Sequence, residues 1–218
     1  MAFAATGILI PPACLGQGTV YLSNLSLQST GNASVASDSW HAQAFDTGTN
    51  RAGYVLNFVE LRMVGASGNP SDFMVTIHTN RYPPVNVYPA GSIAQLVGST
   101  NPVAPGINTY IPASPITLSG NGGYFIVVTA GTQVANGAYS WSMASSTPDN
   151  LAQGWFGGQP FYSSDGISWA YSSSGFPQFA VSATPIPEPS TIALLGPGGY
   201  LLAVFRQTGR RRSLGKSC

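Results

Sequence analysis

Residues 123–131 read GYFIVVTAG, an almost unbroken apolar run that begins and ends with glycine. β-Branched and aromatic side chains are enriched in strands. A strand that is apolar on both faces is typical of the centre of a sheet whose two faces are both covered. We therefore expect residues 123–131 to form a central strand.

Alternating stretches surround this run on both sides. Residues 73–78 (FMVTIH) place Phe73, Val75 and Ile77 on one face and polar residues on the other, and residues 59–63 alternate in the same way. Leu56 and Phe58 have the opposite phase, which predicts a β-bulge or a strand crossing near Phe58. Two further strands are predicted by alternation, at 139–143 and 179–183.

Composition and turn spacing favour one β domain. The chain has 218 residues, is 44% hydrophobic and contains 26 glycines and 17 prolines, which suits short strands joined by tight turns. Turn signals such as GASGNPSD, NPVAPG and SGNGG recur between the alternating stretches. The sequence predicts an all-β fold, a single jelly-roll-like β-sandwich over residues 20–184.

The C-terminal part has a different composition. Residues 1–184 contain three Arg and six acidic residues, a net charge of −3, whereas residues 185–218 contain five basic residues and Glu188, a net charge of +4. We predict a linker at 185–189, a short transmembrane helix at 190–205 and a basic cytoplasmic tail at 206–218. The apolar segment is about 24 Å long as a helix, which is short for a bilayer core of about 30 Å.

Four arginines extend the reach of this segment by snorkelling to lipid phosphates: Arg206, Arg210, Arg211 and Arg212. A basic tail also suits nucleic-acid binding, but a cluster that directly follows an apolar run favours a membrane anchor. A buried C-terminal helix is the other alternative, and it is disfavoured because no polar position interrupts residues 192–205.

The N-terminus has features of an export signal. Residues 1–16 contain an apolar stretch followed by small residues, and we interpret them as the remnant of a signal peptide that lacks its basic beginning. Cys14 and Cys218 stand at the two ends of the chain, so no disulfide framework is predicted within the domain.

The tail closely resembles the PEP-CTERM sorting signal of exported proteins in biofilm-forming Gram-negative bacteria. The resemblance rests on a motif, the apolar segment and the terminal arginines in that order, and the motif residues are Pro187, Glu188, Pro189, Ser190 and Thr191. It implies recognition by an exosortase-like membrane enzyme and cleavage near the motif. The mature protein is then anchored in the cell envelope or released to the extracellular matrix.

The domain itself resembles the choice-of-anchor R family of extracellular domains, from about residue 40 to residue 183. The resemblance rests on AQAFDTG, on FVELRMVG followed by SDFMVTIHT, and on YSSDGISW followed by FPQFAVSA. It implies an extracellular domain of unassigned biochemical activity.

Catalytic and metal-binding motifs are not found in the sequence. His41 and His78 have no Cys or carboxylate at metal-ligand spacing, and we expect His78 to face solvent from its strand. No G-x-S-x-G, P-loop or H-E-x-x-H motif occurs. We expect no enzyme activity, cofactor or metal, because the few scattered carboxylates disfavour a glycoside hydrolase pair.

A turn is predicted at residues 163–169 (SSDGISW), which resembles the Asp-box hairpin of β proteins. We expect the Asp165 carboxylate to accept backbone N–H bonds, Gly166 to supply the turn and Trp169 to pack beneath it.

Trp155 and Phe156 are candidate glycan contacts. They follow Gly154 and precede Gly157 in a stretch with no clear strand period, so we expect both rings to be exposed on a loop. Trp141, by contrast, alternates within a strand and is expected in the core. Three function classes follow: a structural or adhesive surface protein, a module that binds exopolysaccharide, and, least favoured, a hydrolase.

Overall fold

The computed structural model of the chain describes residues 18–81, 88–98, 101–150 and 153–188. The predicted signal remnant, the predicted transmembrane segment at 190–205 and the arginine cluster lie outside these residues. No helix within the described ranges is long and apolar enough to cross a bilayer.

The described part of the chain is all-β, as predicted, and forms one continuous sheet of fifteen strands. The first eight strands are β1 (Thr19–Ser23), β2 (Gly31–Val35), β3 (Trp40–Asp46), β4 (Tyr54–Gly68), β5 (Met74–Arg81), β6 (Tyr88–Gly98), β7 (Gly106–Pro112) and β8 (Thr117–Leu118). The others are β9 (Gly123–Thr129), β10 (Gly137–Ala144), β11 (Asp149–Asn150), β12 (Trp155–Ser163), β13 (Ala170–Tyr171), β14 (Phe176–Pro177) and β15 (Phe179–Pro185).

Strand β9 is central and is covered on both faces, which confirms the prediction for the run at 123–131. It pairs antiparallel with β3 on one edge and β5 on the other. Every residue from Tyr124 to Thr129 is buried. Tyr124, Ile126 and Val128 belong to the main core, whereas Phe125 and Val127 belong to a smaller apolar cluster on the opposite face.

Strand β4 organises the other part of the sheet. It pairs with β15 and then β10 along one edge, and with β8 and then β7 along the other. The register against β15 shifts between Leu56 and Phe58 and leaves Asn57 as the extra residue. The predicted bulge near Phe58 is therefore confirmed, and it explains the change of phase, because one inserted residue reverses the face of every side chain beyond it.

The sheet curves around one main core until it is nearly closed, so that β1 at one end contacts β11 and β12 at the other. As names for two parts of this sheet, we call β3, β5, β9 and β12 the β9 layer, and β1, β4, β7, β10 and β15 the β4 layer. Strand β6 pairs with β5 over most of its length and with β7 at its end, so it carries the sheet from one layer to the other. Core residues of the β9 layer include Phe45, Ile77, Ile126 and Trp155, and those of the β4 layer include Leu22, Leu61, Trp141 and Phe179.

A buried polar network joins the first loop to the last strand. Asn24 and Gln178 are 1% and 0% exposed. Asn24 donates from Nδ2 to the carbonyl oxygens of Ser146 and Pro177, both at 3.1 Å, and its Oδ1 accepts the N–H of Phe179 at 2.7 Å. Gln178 donates to the carbonyl oxygen of Asn24 at 3.0 Å. These bonds satisfy backbone groups that would otherwise be buried unpaired.

The last strand reaches slightly into the predicted linker. Pro185 pairs with Tyr54 as the final residue of β15. The N–H of Ile186 donates to the carbonyl oxygen of Gly53 at 3.0 Å, and its own carbonyl accepts Asn50 Nδ2 at 2.9 Å. Residues 185 and 186 therefore belong to the folded domain.

Candidate functional site

Trp155 is a core residue, so the prediction that it is exposed on a loop is wrong. Its side chain is 0% exposed and lies at the start of β12, not in a loop. Phe156, the next residue, is 40% exposed. Successive side chains of a strand point to opposite faces. One ring of the pair therefore enters the core between the layers, and the other lies on the outer face of the β9 layer.

Phe156 ends a row of side chains that crosses this outer face. In the strand register Phe156 is opposite Asp46, and Asp46 is opposite Gly123. Asn80 follows on β5, where its side chain lies beside Gly123. Residues directly opposite each other in an antiparallel pair share a face. The row therefore reads Asn80, Gly123, Asp46 and Phe156 across β5, β9, β3 and β12.

Gly123 lies in the middle of this row, where its neighbours leave no room for a side chain. A Cβ at position 123 would lie 2.7 Å from Asn80 Nδ2 and 3.0 Å from Asp46 Oδ1. The amide and the carboxylate therefore pack closely over Gly123 from two sides, and only glycine fits between them without displacing one of them. Together they present a donor and an acceptor on the same part of the outer face.

Three residues of the row, Asn80, Gly123 and Asp46, line a cleft of about 250 Å³, and Phe156 pairs with Asp46 in the neighbouring strand. We call it the Asp46 cleft, and its outer-face lining is Ala44, Asp46, Asn80, Gly123, Phe125, Gly158, Gln159 and Phe161. Phe125 and Phe161 pack edge to face with ring centroids 5.6 Å apart and supply an apolar floor. Gly158 packs closely over Ala44, where a Cβ would come within 2.8 Å of the Ala44 Cβ, so only glycine fits at this position without a shift.

The polar groups of the Asp46 cleft are incompletely paired. Asn80 Oδ1 is buried and has no hydrogen-bond partner. Asp46 is half-buried, and burial raises the pKa of its carboxyl above the usual range. Among the described residues no cation or N–H group pairs with that carboxylate. Unpaired polar groups in a partly dry cleft gain from a ligand that supplies the missing bonds.

A second depression adjoins the Asp46 cleft, since Asn80 lines both. It measures about 530 Å³ and extends between β6 and the turn at 163–169, where Ile167 is 80% exposed. Its β6 side is formed by Tyr88, Pro89, Ala90 and Gly91.

The turn at 163–169 has the predicted structure. Asp165 Oδ1 accepts the N–H groups of Ser168 at 2.7 Å and Ile167 at 2.8 Å, and the Ser163 hydroxyl at 2.8 Å. These bonds hold the pKa of the Asp165 carboxyl well below its usual range. Gly166 has φ +71°, in the left-handed region that favours glycine.

Trp169 anchors the turn against the sheet. It is half-buried and packs with Trp40 on the cluster of Ala42, Phe125 and Val127. The ring directly beneath Gly166 is that of Trp40, since a Cβ at position 166 would lie 3.1 Å from Trp40 Cε2. The turn therefore covers one end of the outer face, and the Asp46 cleft lies beyond it.

The two histidines are both partly covered. His78 lies on the outer face as expected, but it is half-buried, and its Nδ1 donates to the carbonyl oxygen of Ala90 at 2.7 Å. Burial lowers the pKa of both His78 and His41, and a carbonyl hydrogen bond opposes this shift in each case. Within residues 18–81, 88–98, 101–150 and 153–188, no group of three or more His, Cys, Asp or Glu side chains is arranged to hold a metal ion.

Sequence reasoning placed only Phe156 in this site and missed Asp46, Asn80 and Gly123. A signal for Asn80 was present, because it continues the outward phase of Thr76 and His78 by one more step of two. No comparable signal pairs Asp46 with Asn80, since the contact depends on the register of three strands.

Only part of the predicted sorting motif lies within the described residues. Pro187 and Glu188 follow the last strand and are exposed. Pro189, Ser190 and Thr191 lie outside the described residues. Comparisons of the chain with known protein families, with curated proteins and with solved structures return no match.

Proposed function

We propose that this chain is an exported surface or matrix protein whose β domain binds neutral saccharide units in the Asp46 cleft. The observation that carries the proposal is the row Asn80, Gly123, Asp46 and Phe156. It combines an amide donor, a carboxylate acceptor, a glycine that lets the two lie close together and an exposed aromatic ring.

A sugar ring matches this combination of groups. Its rim carries hydroxyls that both donate and accept, and its C–H face is apolar and suits stacking on a phenyl ring. Adjacent hydroxyls are able to bond Asp46 and Asn80 together, and a bond to an ionised carboxylate is stronger than one between neutral groups. The uncompensated negative charge of Asp46 disfavours acidic sugars in this cleft, so we assign it neutral ones.

The domain architecture supports this role. We infer that the two layers constitute a jelly-roll-like β-sandwich, with the long strand β4 in one layer and the buried strand β9 in the other. In such folds an open sheet face offers a rigid platform for a ligand. The glycines at positions 123 and 158 suit this use, because they remove side chains from the floor of the cleft.

The second part of the proposal concerns delivery to the cell surface, and it rests on the C-terminal tail. We infer that an exosortase-like membrane enzyme recognises the motif from Pro187 to Thr191 and cleaves near it. The apolar segment 190–205 and Arg206, Arg210, Arg211 and Arg212 engage membrane lipid until that cleavage. The exposure of Pro187 and Glu188 directly after β15 supports access by such an enzyme. No nucleic-acid partner is proposed.

The binding proposal is tested with Gly123→Ala. Binding of the full chain to an array of neutral oligosaccharides, and to exopolysaccharide from the producing bacterium, is measured by fluorescence and calorimetry. The new methyl group would collide with Asn80 Nδ2 and Asp46 Oδ1 and displace them, so we expect at least a tenfold loss of affinity. Gly131→Ala is the matched control, because its Cβ would also meet a polar side-chain atom at 2.7 Å, Oδ2 of Asp72, away from the cleft.

The aromatic contact is tested with Phe156→Ala, which we expect to weaken binding several-fold at an unchanged midpoint of thermal unfolding. Tyr162→Ala is its control, because Tyr162 is 49% exposed on the same strand. Equal binding by all four variants, or no neutral saccharide bound by the parent protein, contradicts the proposal. Release of reducing sugar from the bound polysaccharide indicates a hydrolase instead.

Sorting is tested by intact-mass analysis of the protein exported from the producing bacterium. The mature form should end near residues 187–191 and lack the peptide 206–218. Recovery of that peptide in the mature form contradicts cleavage. Deletion of the motif residues should leave the full-length chain in the membrane fraction.

A further inference from the structure

Arg62 lies in a second cleft, on the outer face of the β4 layer. Leu61 and Met63 point into the core, so Arg62 between them points outward with Val64 two residues on. The cleft measures about 420 Å³ and is also lined by Ser29, Ser142, Pro105 and Ile107. We call it the Arg62 cleft. It shares no lining residue with the Asp46 cleft.

The guanidinium of Arg62 has no partner within the described residues. Its Nε is buried and makes no hydrogen bond. The carboxylate two residues earlier, Glu60, accepts instead from the Thr109 hydroxyl at 3.4 Å. A guanidinium offers five N–H donors in a fixed plane, and here that plane is unused. A partly buried, unpaired cation at the wall of a cleft is a site for an anion.

The other polar groups of the Arg62 cleft are already bonded to one another. Ser142 Oγ lies 2.9 Å from Ser29 Oγ and 2.6 Å from Gln178 Oε1, and Ser29 Oγ donates to the carbonyl oxygen of Gly31 at 3.0 Å. Arginine is therefore the group left to recognise a ligand. The remaining wall is apolar, since Ile107 and Val64 are 50% and 44% exposed.

These features select a planar monoanion attached to a ring. One guanidinium balances one negative charge, and its fork matches the two oxygens of a carboxylate in a bidentate pair. The apolar wall beside it is able to cover the C–H face of a ring, and it lowers the local dielectric so that the ion pair gains strength. A uronic acid unit of a polysaccharide presents both groups together.

We propose that the Arg62 cleft binds the carboxylate of a uronic acid unit in an acidic polysaccharide. The identity of the polymer rests on the proposed function, whereas the anion site rests on Arg62 alone. With a neutral-sugar cleft on the β9 layer and a uronate cleft on the β4 layer, one domain bridges two polysaccharide chains.

The experiment measures binding of the full chain to immobilised polygalacturonate and to its fully methyl-esterified form. We expect binding to the free acid, at least tenfold weaker binding to the ester, and weakening with added salt. Arg62→Gln should reduce binding to the acid at least tenfold, and Arg62→Lys should retain part of it. Arg51→Gln removes an exposed arginine elsewhere and should leave binding unchanged.

A second variant keeps the proposal testable if Arg62→Gln fails to fold. Ile107→Glu places a carboxylate on an exposed side chain at the cleft wall and should abolish uronate binding by repulsion. Equal binding of acid and ester, or equal effects of Arg62→Gln and Arg51→Gln, overturns the proposal. Loss of uronate binding in Gly123→Ala but not in Arg62→Gln also overturns it, because acid recognition then belongs to the Asp46 cleft. Binding of neutral sugars is measured in a separate assay, so failure of one proposal does not imply failure of the other.

Discussion

The indole of Trp155 stacks on the ring of Tyr21, with centroids 4.6 Å apart and planes only 12° from parallel. Tyr54 meets the same indole edge-on, with centroids 4.9 Å apart and an interplanar angle of 76°. These three rings come from β12, β1 and β4. The stack therefore joins both layers and attaches the first strand of the domain to its core.

Trp155→Ala should reduce the free energy of unfolding by about 3–5 kcal/mol, because it deletes a fully buried ring and leaves a cavity. Trp155→Phe should reduce the free energy of unfolding by clearly less. It keeps a stacked ring and removes the indole N–H, which is buried without an acceptor. Denaturant unfolding followed by circular dichroism measures both losses. An unchanged midpoint for Trp155→Ala is incompatible with the stack described here.

Asn24→Ala should also be strongly destabilising, although it removes few atoms. It leaves the carbonyls of Ser146 and Pro177 and the N–H of Phe179 without their partner. Each unsatisfied buried group costs about 1–3 kcal/mol, so a loss of at least about 2 kcal/mol is expected by denaturant titration. Ser26→Ala, at an exposed position of the same loop, is the control. A loss no greater than that of the control would show that water replaces the side chain.

The Asp165 turn predicts a pH-dependent contribution to stability. Because the folded-state pKa of Asp165 is lowered, the stabilisation is fully present above the unfolded-state pKa of about 4 and is lost as pH falls below it. Asp165→Asn should therefore lower the thermal midpoint most at neutral pH, and the gap from the parent protein should shrink towards pH 2. Asp149→Asn controls for the removal of a surface carboxylate. If the difference in thermal midpoint between Asp165→Asn and the parent protein stays constant with pH, the effect comes from the geometry of the side chain and not from its charge.

The domain should fold without disulfide or metal. A fragment of residues 18–188 excludes both cysteines, Cys14 and Cys218. Its circular dichroism spectrum should be that of a β protein, with a thermal midpoint unaffected by a reductant or a chelator. A midpoint that falls on adding chelator contradicts this expectation.

Local pattern was enough to predict much of the sheet. The apolar run at 123–131 indicated β9, because a strand buried on both faces needs apolar residues at every position. Alternation at 59–63 and the phase change near Phe58 predicted both the strand β4 and its bulge. These features depend only on a residue and its near neighbours in the chain, so the sequence pattern is enough to predict them.

The candidate site was less predictable, because it depends on pairing between distant strands. The sequence prediction put Trp155 on an exposed loop. The glycines on both sides of it give no alternating pattern that would indicate which face of a strand its ring occupies. Its burial is decided by Tyr21 and Tyr54, which lie more than 100 residues earlier in the chain. Asp46 and Asn80 line the same cleft only because β3 and β5 both pair with β9, on either side of Gly123.

The position of β15 has a mechanical consequence. This strand lies between β1 and β4, bonded to both, and the chain leaves the domain just beyond its end, after Ile186. A pulling force that enters through the tail is directed along the strand, so it loads the hydrogen bonds on both edges in shear and at the same time. Bonds that share a load must break together, whereas those of a strand peeled from one end break one after another. The domain is thus suited to resist unfolding when a force is applied through its last strand.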